Sequence, residues 1–264
     1  MSGRLSRIYA LMLQELYVTR HAFEVFVDLF FLPLMNVILF GLITRLFKSV
    51  GQSTTSDYLL LGILLWQFVS VSQNSVTYSA LWNVWSHNLS NMFIAPISVT
   101  EYLLGNIFAA ILKAFLTFSL LSLGVYFAFH FDILRIGVIN VGLDYINLSI
   151  FGWSLGVLLL GLIFRYGTRV QAVAWGAIYL FQPLTASFYP VTILPRLVQY
   201  ISICLPPTHV FQAARQSLST SGISWHAALV AFSLNIFYAV LSIVVFNRLF
   251  LKSKETGQFA RNDL

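Results

Sequence analysis

Apolar positions gather in six runs, each close to the 20 residues that a helix needs to cross a bilayer. They lie near residues 25–46, 58–80, 103–129, 143–164, 170–188 and 225–249. The first contains Pro33 and Asn36, and the second is interrupted only by Gln67, Gln73 and Asn74. The pattern predicts an all-α integral membrane protein with six transmembrane helices, one domain spanning 1–264.

Three segments depart from simple crossing. Residues 4–23 place Arg4, Arg7, Gln14, Glu15 and His21 on one arc of a helical wheel and Leu5, Ile8, Tyr9, Met12, Leu13, Leu16 and Tyr17 on the other. This predicts a helix lying in the membrane interface. Between the second and third runs, residues 82–102 are too polar to cross and too apolar for a plain solvated linker. A short helix over about 84–95, ending before Pro96, would either dock against a partner or lie on the bilayer with Trp82 and Trp85 as anchors. Composition leaves both open.

The third segment is rich in proline. Five of the seven prolines, Pro183, Pro190, Pro195, Pro206 and Pro207, fall within 181–212, in otherwise apolar sequence. Each removes a backbone donor and interrupts helix, and broken backbone survives at membrane depth only where it is buried in protein or lines a cavity. The expectation is a re-entrant element before the last span.

Composition agrees: 58% of residues are hydrophobic and 9% charged, against roughly a quarter charged in soluble domains. The net charge of +6 is explained by topology, and no nucleic-acid partner is expected. Nine Lys or Arg residues fall on the side of the termini and five on the other. The positive-inside rule therefore puts both termini in the cytoplasm, with no signal peptide. The single cysteine, Cys204, excludes an internal disulfide and a cysteine-based metal site.

No phosphate-binding loop, acidic magnesium site, HExxH pair or CxxC is present, so the chain is not expected to hydrolyse ATP or act as an enzyme by itself. The serines and histidines near 209–226 occupy no nucleophile turn. Lys113 is expected to snorkel to the surface. Asp28 is expected to pair with Arg20 or Arg169, and Gly152 and Gly156 to pack within the chain. Phe68, Tyr78, Trp175, Tyr179 and Phe181 are the aromatic candidates for lining a pathway, since rings offer apolar area without charge.

The runs APISVTEYLLGNI and ILPRLVQYISICLPPTHVFQAARQ, taken with the three segments in this order, resemble the membrane subunits of ABC-type exporters of the type 2 permease family. The resemblance implies a homodimer around a central pathway, embedded in lipid of the plasma membrane (the bacterial inner membrane). Each copy would sit on a separate ATPase subunit that holds ATP and magnesium, leaving no cofactor in this chain. It implies that the helix at 84–95 meets the ATPase, with Trp85, Leu89, Met92, Phe93, Pro96 and Glu101 as coupling residues, and that spans one, two and five line the dimer interface. It also implies that the re-entrant helical segment covers 190–218, with Pro190, Pro195, Pro206 and Pro207 as an external gate. The first span lacks the Leu-Gly and tryptophan pattern of many polysaccharide-exporting members. An amphipathic cargo, drug-like or lipid, is therefore the first expectation and a lipid-linked polysaccharide the alternative. An ion-coupled transporter is disfavoured because the acids sit near span ends or in loops, and a lipid-acting enzyme because no catalytic constellation is present.

Overall fold

A computed structural model describes residues 2–86, 97–219 and 222–256, and the described residues contain helices and turns but no strand. Helix α1 (Ser2–His21) ends at Ala22, whose extended backbone turns the chain into α2 (Phe23–Ser49). Inside α2 the turn Val27–Phe31 widens to π geometry immediately before Pro33. Pro33 can neither donate to the carbonyl four residues back nor tolerate it closely, and the wider turn absorbs the conflict.

Helices α3 (Ser53–Trp85), α4 (Val99–Phe129), α5 (Val138–Tyr166) and α9 (Trp225–Glu255) follow the apolar runs. With α2 they make, among the described residues, five helices long and apolar enough to cross a membrane. The fifth expected span is shorter. Helix α6 (Gln171–Leu184) has 14 residues, about 21 Å at 1.5 Å per residue, against a hydrocarbon core of about 30 Å. Pro183 closes it, and Ala186 then adopts a left-handed φ of 50°. Beyond it come a short 3-10 turn (Val191–Ile193), α7 (Arg196–Ile203) and α8 (Pro206–Ser217).

Helices α3 and α5 form the centre, with 83% and 72% of their apolar windows buried against 22% for α2 and α9. A helix apolar or small-polar on every side has no face for solvent or lipid to prefer, and α3 is of that kind. It meets α5 at the two glycines expected to pack internally. A Cβ on Gly152 would lie 2.6 Å from the Val69 carbonyl oxygen, and one on Gly156 2.8 Å from the Val76 Cβ. Val210, Phe211 and Ala214 of α8 join the cluster built on Leu60, Leu64 and Trp66 of α3.

Helix α1 corrects the expectation for its polar arc. Leu5, Tyr9, Leu13 and Tyr17 form an exposed apolar stripe, but Glu15 is buried and Arg7 half-buried, both facing α4. The Leu11 Cβ would stand 2.6 Å from a Cβ on Gly105, so the small residue permits this close approach. A wheel sorts side chains by polarity alone, whereas here Arg7 and Glu15 found partners inside the protein while Arg4, Gln14 and His21 of the same arc are exposed.

Candidate functional site

Three helical stripes converge. On α3 the positions Gln67, Ser70, Asn74, Tyr78, Trp82 and Trp85 recur every three or four residues and so share one face. Helix α2 contributes Glu24, Asp28, Leu32 and Asn36 at four-residue steps, and α6 contributes Trp175, Ile178, Tyr179 and Gln182. Together they enclose a groove in two connected parts. One is a narrow polar slot of about 70 Å³ between Asn36, Gln67, Asn74 and Gln182. The other is a wider aromatic chamber of about 430 Å³ walled by Tyr78, Trp82, Trp85 and Trp175. Asp28 and Tyr78 border both.

Within the slot, Asn36 donates to the Leu32 carbonyl at 3.0 Å and Gln67 to that of Ile63 at 3.1 Å. These amides satisfy their donors on their own helices. The buried Asn74 Oδ1 accepts no hydrogen bond. A buried acceptor without a partner is costly, and Asn74 is among the residues that border the slot.

Behind the groove lies an ion-pair network. Lys113 Nζ is 3.5 Å from Glu15 Oε2, both residues being buried. Ser79 Oγ lies 2.7 Å from Glu15 Oε1, 3.1 Å from Asn106 Oδ1 and 3.2 Å from the Tyr102 hydroxyl. A hydroxyl carries one proton, and the short contact to the charged carboxylate is the strongest claim on it. Lys113 therefore does not snorkel. An internal carboxylate from α1 meets it, because burying an ammonium unpaired costs more than pairing it.

Glu101, expected to couple, forms a capping box with Ser98 at the start of α4. Its carboxylate also takes three hydrogen bonds from Arg7, the shortest at 2.7 Å. The hydrogen bond that Arg7 donates to the Glu101 carboxylate raises the Arg7 pKa above its ordinary value. Trp85 closes α3 at the chamber, whereas Leu89, Met92, Phe93 and Pro96, with most of the expected helix at 84–95, lie outside the described residues.

The pathway candidates separate. Tyr78, Trp175 and Tyr179 border the groove. Phe68 is a core residue, its ring 4.2 Å from that of Phe118, and Phe181 packs on Phe151 at 5.7 Å. The expected pairing of Asp28 with Arg20 or Arg169 is absent among the described residues, because Asp28 turns to the groove instead. Among the prolines, Pro190 and Pro195 precede short helical turns and Pro206 and Pro207 open α8, where a missing N–H costs nothing.

Asp144 was not anticipated. It lies inside α5, is 7% exposed, and its Oδ2 accepts no hydrogen bond while bordering a small cavity with Asn140, Ser217 and Ser224. The one signal was an aspartate within an apolar run. The described residues contain no cluster of metal-ligating side chains. No family model matches the chain, and no curated protein matches it.

Proposed function

We propose that this chain is the permease subunit of an ATP-driven exporter that moves an amphipathic substrate, drug-like or lipid, outward across the plasma membrane. The groove carries the reading. Polar side chains at membrane depth are costly and turn to the bundle interior or a water-filled cavity, and here they line one stripe that opens into an aromatic chamber. The sequence has no phosphate-binding loop, and in this reading the driving force comes from a separate ATPase subunit.

In this reading both termini are cytoplasmic and α6 makes the sixth crossing with the 3-10 turn Gly167–Val170 that leads into it. That turn adds about 8 Å at 2.0 Å per residue to the 21 Å of α6. The stretch from Pro190 to α8 would enter the outer leaflet and return, which the burial of Phe211 against Trp66, 6.1 Å between ring centroids, supports. The groove is open on the side of α2 and α6, where Leu39, Leu42, Tyr179 and Leu180 are exposed. A second copy facing it would enclose the pathway. Arg7 and Glu101 would pass movement of the ATPase from the 84–95 segment to α1. Export of a lipid-linked polysaccharide by the same machinery is the second reading, favoured by the rings of Trp82, Trp85 and Trp175.

The test is reconstitution of the tagged chain with the ATPase that co-isolates with it, following ATP-dependent accumulation of a fluorescent amphiphile in inside-out proteoliposomes. Asn74→Leu and Tyr179→Ala are expected to slow accumulation while leaving the isolated chain folded. Accumulation unchanged in both variants, or phosphate release by the isolated chain, would refute the proposal.

A further inference from the structure

We infer that the aromatic chamber is a binding site for an organic cation with an apolar body, such as a quaternary ammonium or phosphonium head carrying hydrocarbon groups. The inference rests on the export reading only in making that cation the cargo; binding itself does not depend on it. Glu24 and Asp28 stand one turn apart on α2 and both border the chamber, and among the described residues no Lys, Arg or His borders it. Among the described residues neither carboxylate is in an ion pair. In a chain of net charge +6 with 9 acidic residues, two acids gathered on one uncompensated wall make a locally negative site.

The opposite walls are suited to the same ligand. Trp82 and Trp85 meet at an interplanar angle of 75° with centroids 6.5 Å apart, and Trp85 and Trp175 at 71° and 6.5 Å. Rings set edge to face form a corner in which more than one π face is offered to a guest. A ring face is electronegative and attracts a cation most strongly where water is excluded. The volume of about 430 Å³ falls in the range of small-molecule sites. An anion would meet two carboxylates, and a bare metal ion would find apolar walls in place of further oxygen ligands. A sugar would stack on the rings but has no use for the paired charges.

Equilibrium dialysis of labelled tetraphenylphosphonium against the full chain in nanodiscs, with empty nanodiscs subtracted, tests this without any ATPase. Saturable binding is expected, and none for tetraphenylborate, which has nearly the same shape and the opposite charge. The Glu24→Gln/Asp28→Asn pair should weaken binding about tenfold or more. Trp175→Ala should weaken it between about twofold and thirtyfold, the range for one cation–π contact. Asp28→Asn alone, nearly isosteric, gives an intermediate loss if the paired variant fails to elute as a folded particle.

Equal binding of the borate, no saturable binding of the phosphonium, or unchanged affinity in the acid variants would overturn the inference. So would displacement of no phosphonium but protection of the tryptophans by maltoheptaose, which would make the chamber a sugar-stacking surface. ATP-driven movement of a neutral amphiphile without phosphonium binding would leave the export reading standing and remove this one. Phosphonium binding without any ATP-driven movement would do the reverse.

Discussion

Arg215 Nη1 donates to the carbonyl oxygens of Ala186 and Ser187, 3.0 and 3.3 Å away, so a buried guanidinium on α8 holds the left-handed turn that ends α6. Carbonyls at a helix end lack intrahelical partners and carry partial negative charge, which a cation satisfies. The turn itself rests on α3, where a Cβ on Gly62 would lie 2.3 Å from the Ser187 oxygen.

Arg215→Met should therefore cost about 2 kcal/mol of stability, the order expected when buried acceptors lose a charged donor. Arg215→Lys should recover only part, because an ammonium does not reproduce the planar fork. Thermal inactivation in detergent measures both. A methionine variant as stable as the parent would mean that the turn holds itself.

Glu15→Ala or Lys113→Met alone should destabilise by about 3–5 kcal/mol, since each strands a buried charge. The double variant Glu15→Leu/Lys113→Met should lie much closer to the parent than either single one. A double-mutant cycle on unfolding in SDS checks the sign of the coupling; additive losses would show that the two charges do not sense each other.

Glycine positions give a sharper contrast. Gly152→Ala meets a backbone oxygen at 2.6 Å that cannot step aside, and should separate α3 from α5 at a cost of about 1–3 kcal/mol. Gly142→Ala and Gly176→Ala have nothing within 4 Å of the new methyl and should be neutral or slightly stabilising, by up to about 1 kcal/mol from helix propensity. Equal effects at all three would contradict the packing described.

Asp144→Asn should be at least as stable as the parent, because it removes the charge of a buried carboxylate whose Oδ2 lacks a partner. If the carboxylate serves transport, ATP-dependent accumulation falls while the melting temperature holds or rises. Loss of stability would instead reveal a hydrogen-bond partner for the carboxylate.

In a Cys204→Ser background, Ile201→Cys should resist a membrane-impermeant maleimide, and Gly222→Cys should be labelled from outside. Ile201 is 54% exposed on α7 beside Leu197 and Tyr200, a face that lipid or a second copy would cover. Labelling of both positions to the same extent would make 190–218 a surface loop.

The sequence by itself determined that the chain is helical, with stretches long and apolar enough to cross a membrane, because a run of about 20 consecutive apolar residues is a one-dimensional property that needs no partner. It also marked Gly152 and Gly156 as packing sites and the region after Pro183 as broken helix, since missing side chains and missing donors act locally. Which face of each helix turns inward was a tertiary decision. Arg7 and Glu15 read as a solvated arc, and Lys113 as a snorkelling side chain, until α1 and α4 came side by side and supplied each charge with its counterpart. Phe68 and Tyr78 look equivalent along the chain, yet one rotates into the core and the other into the groove. The groove exists only because faces on α2, α3 and α6, distant in sequence, are brought together, and the free energy of a buried polar group depends on what stands opposite it.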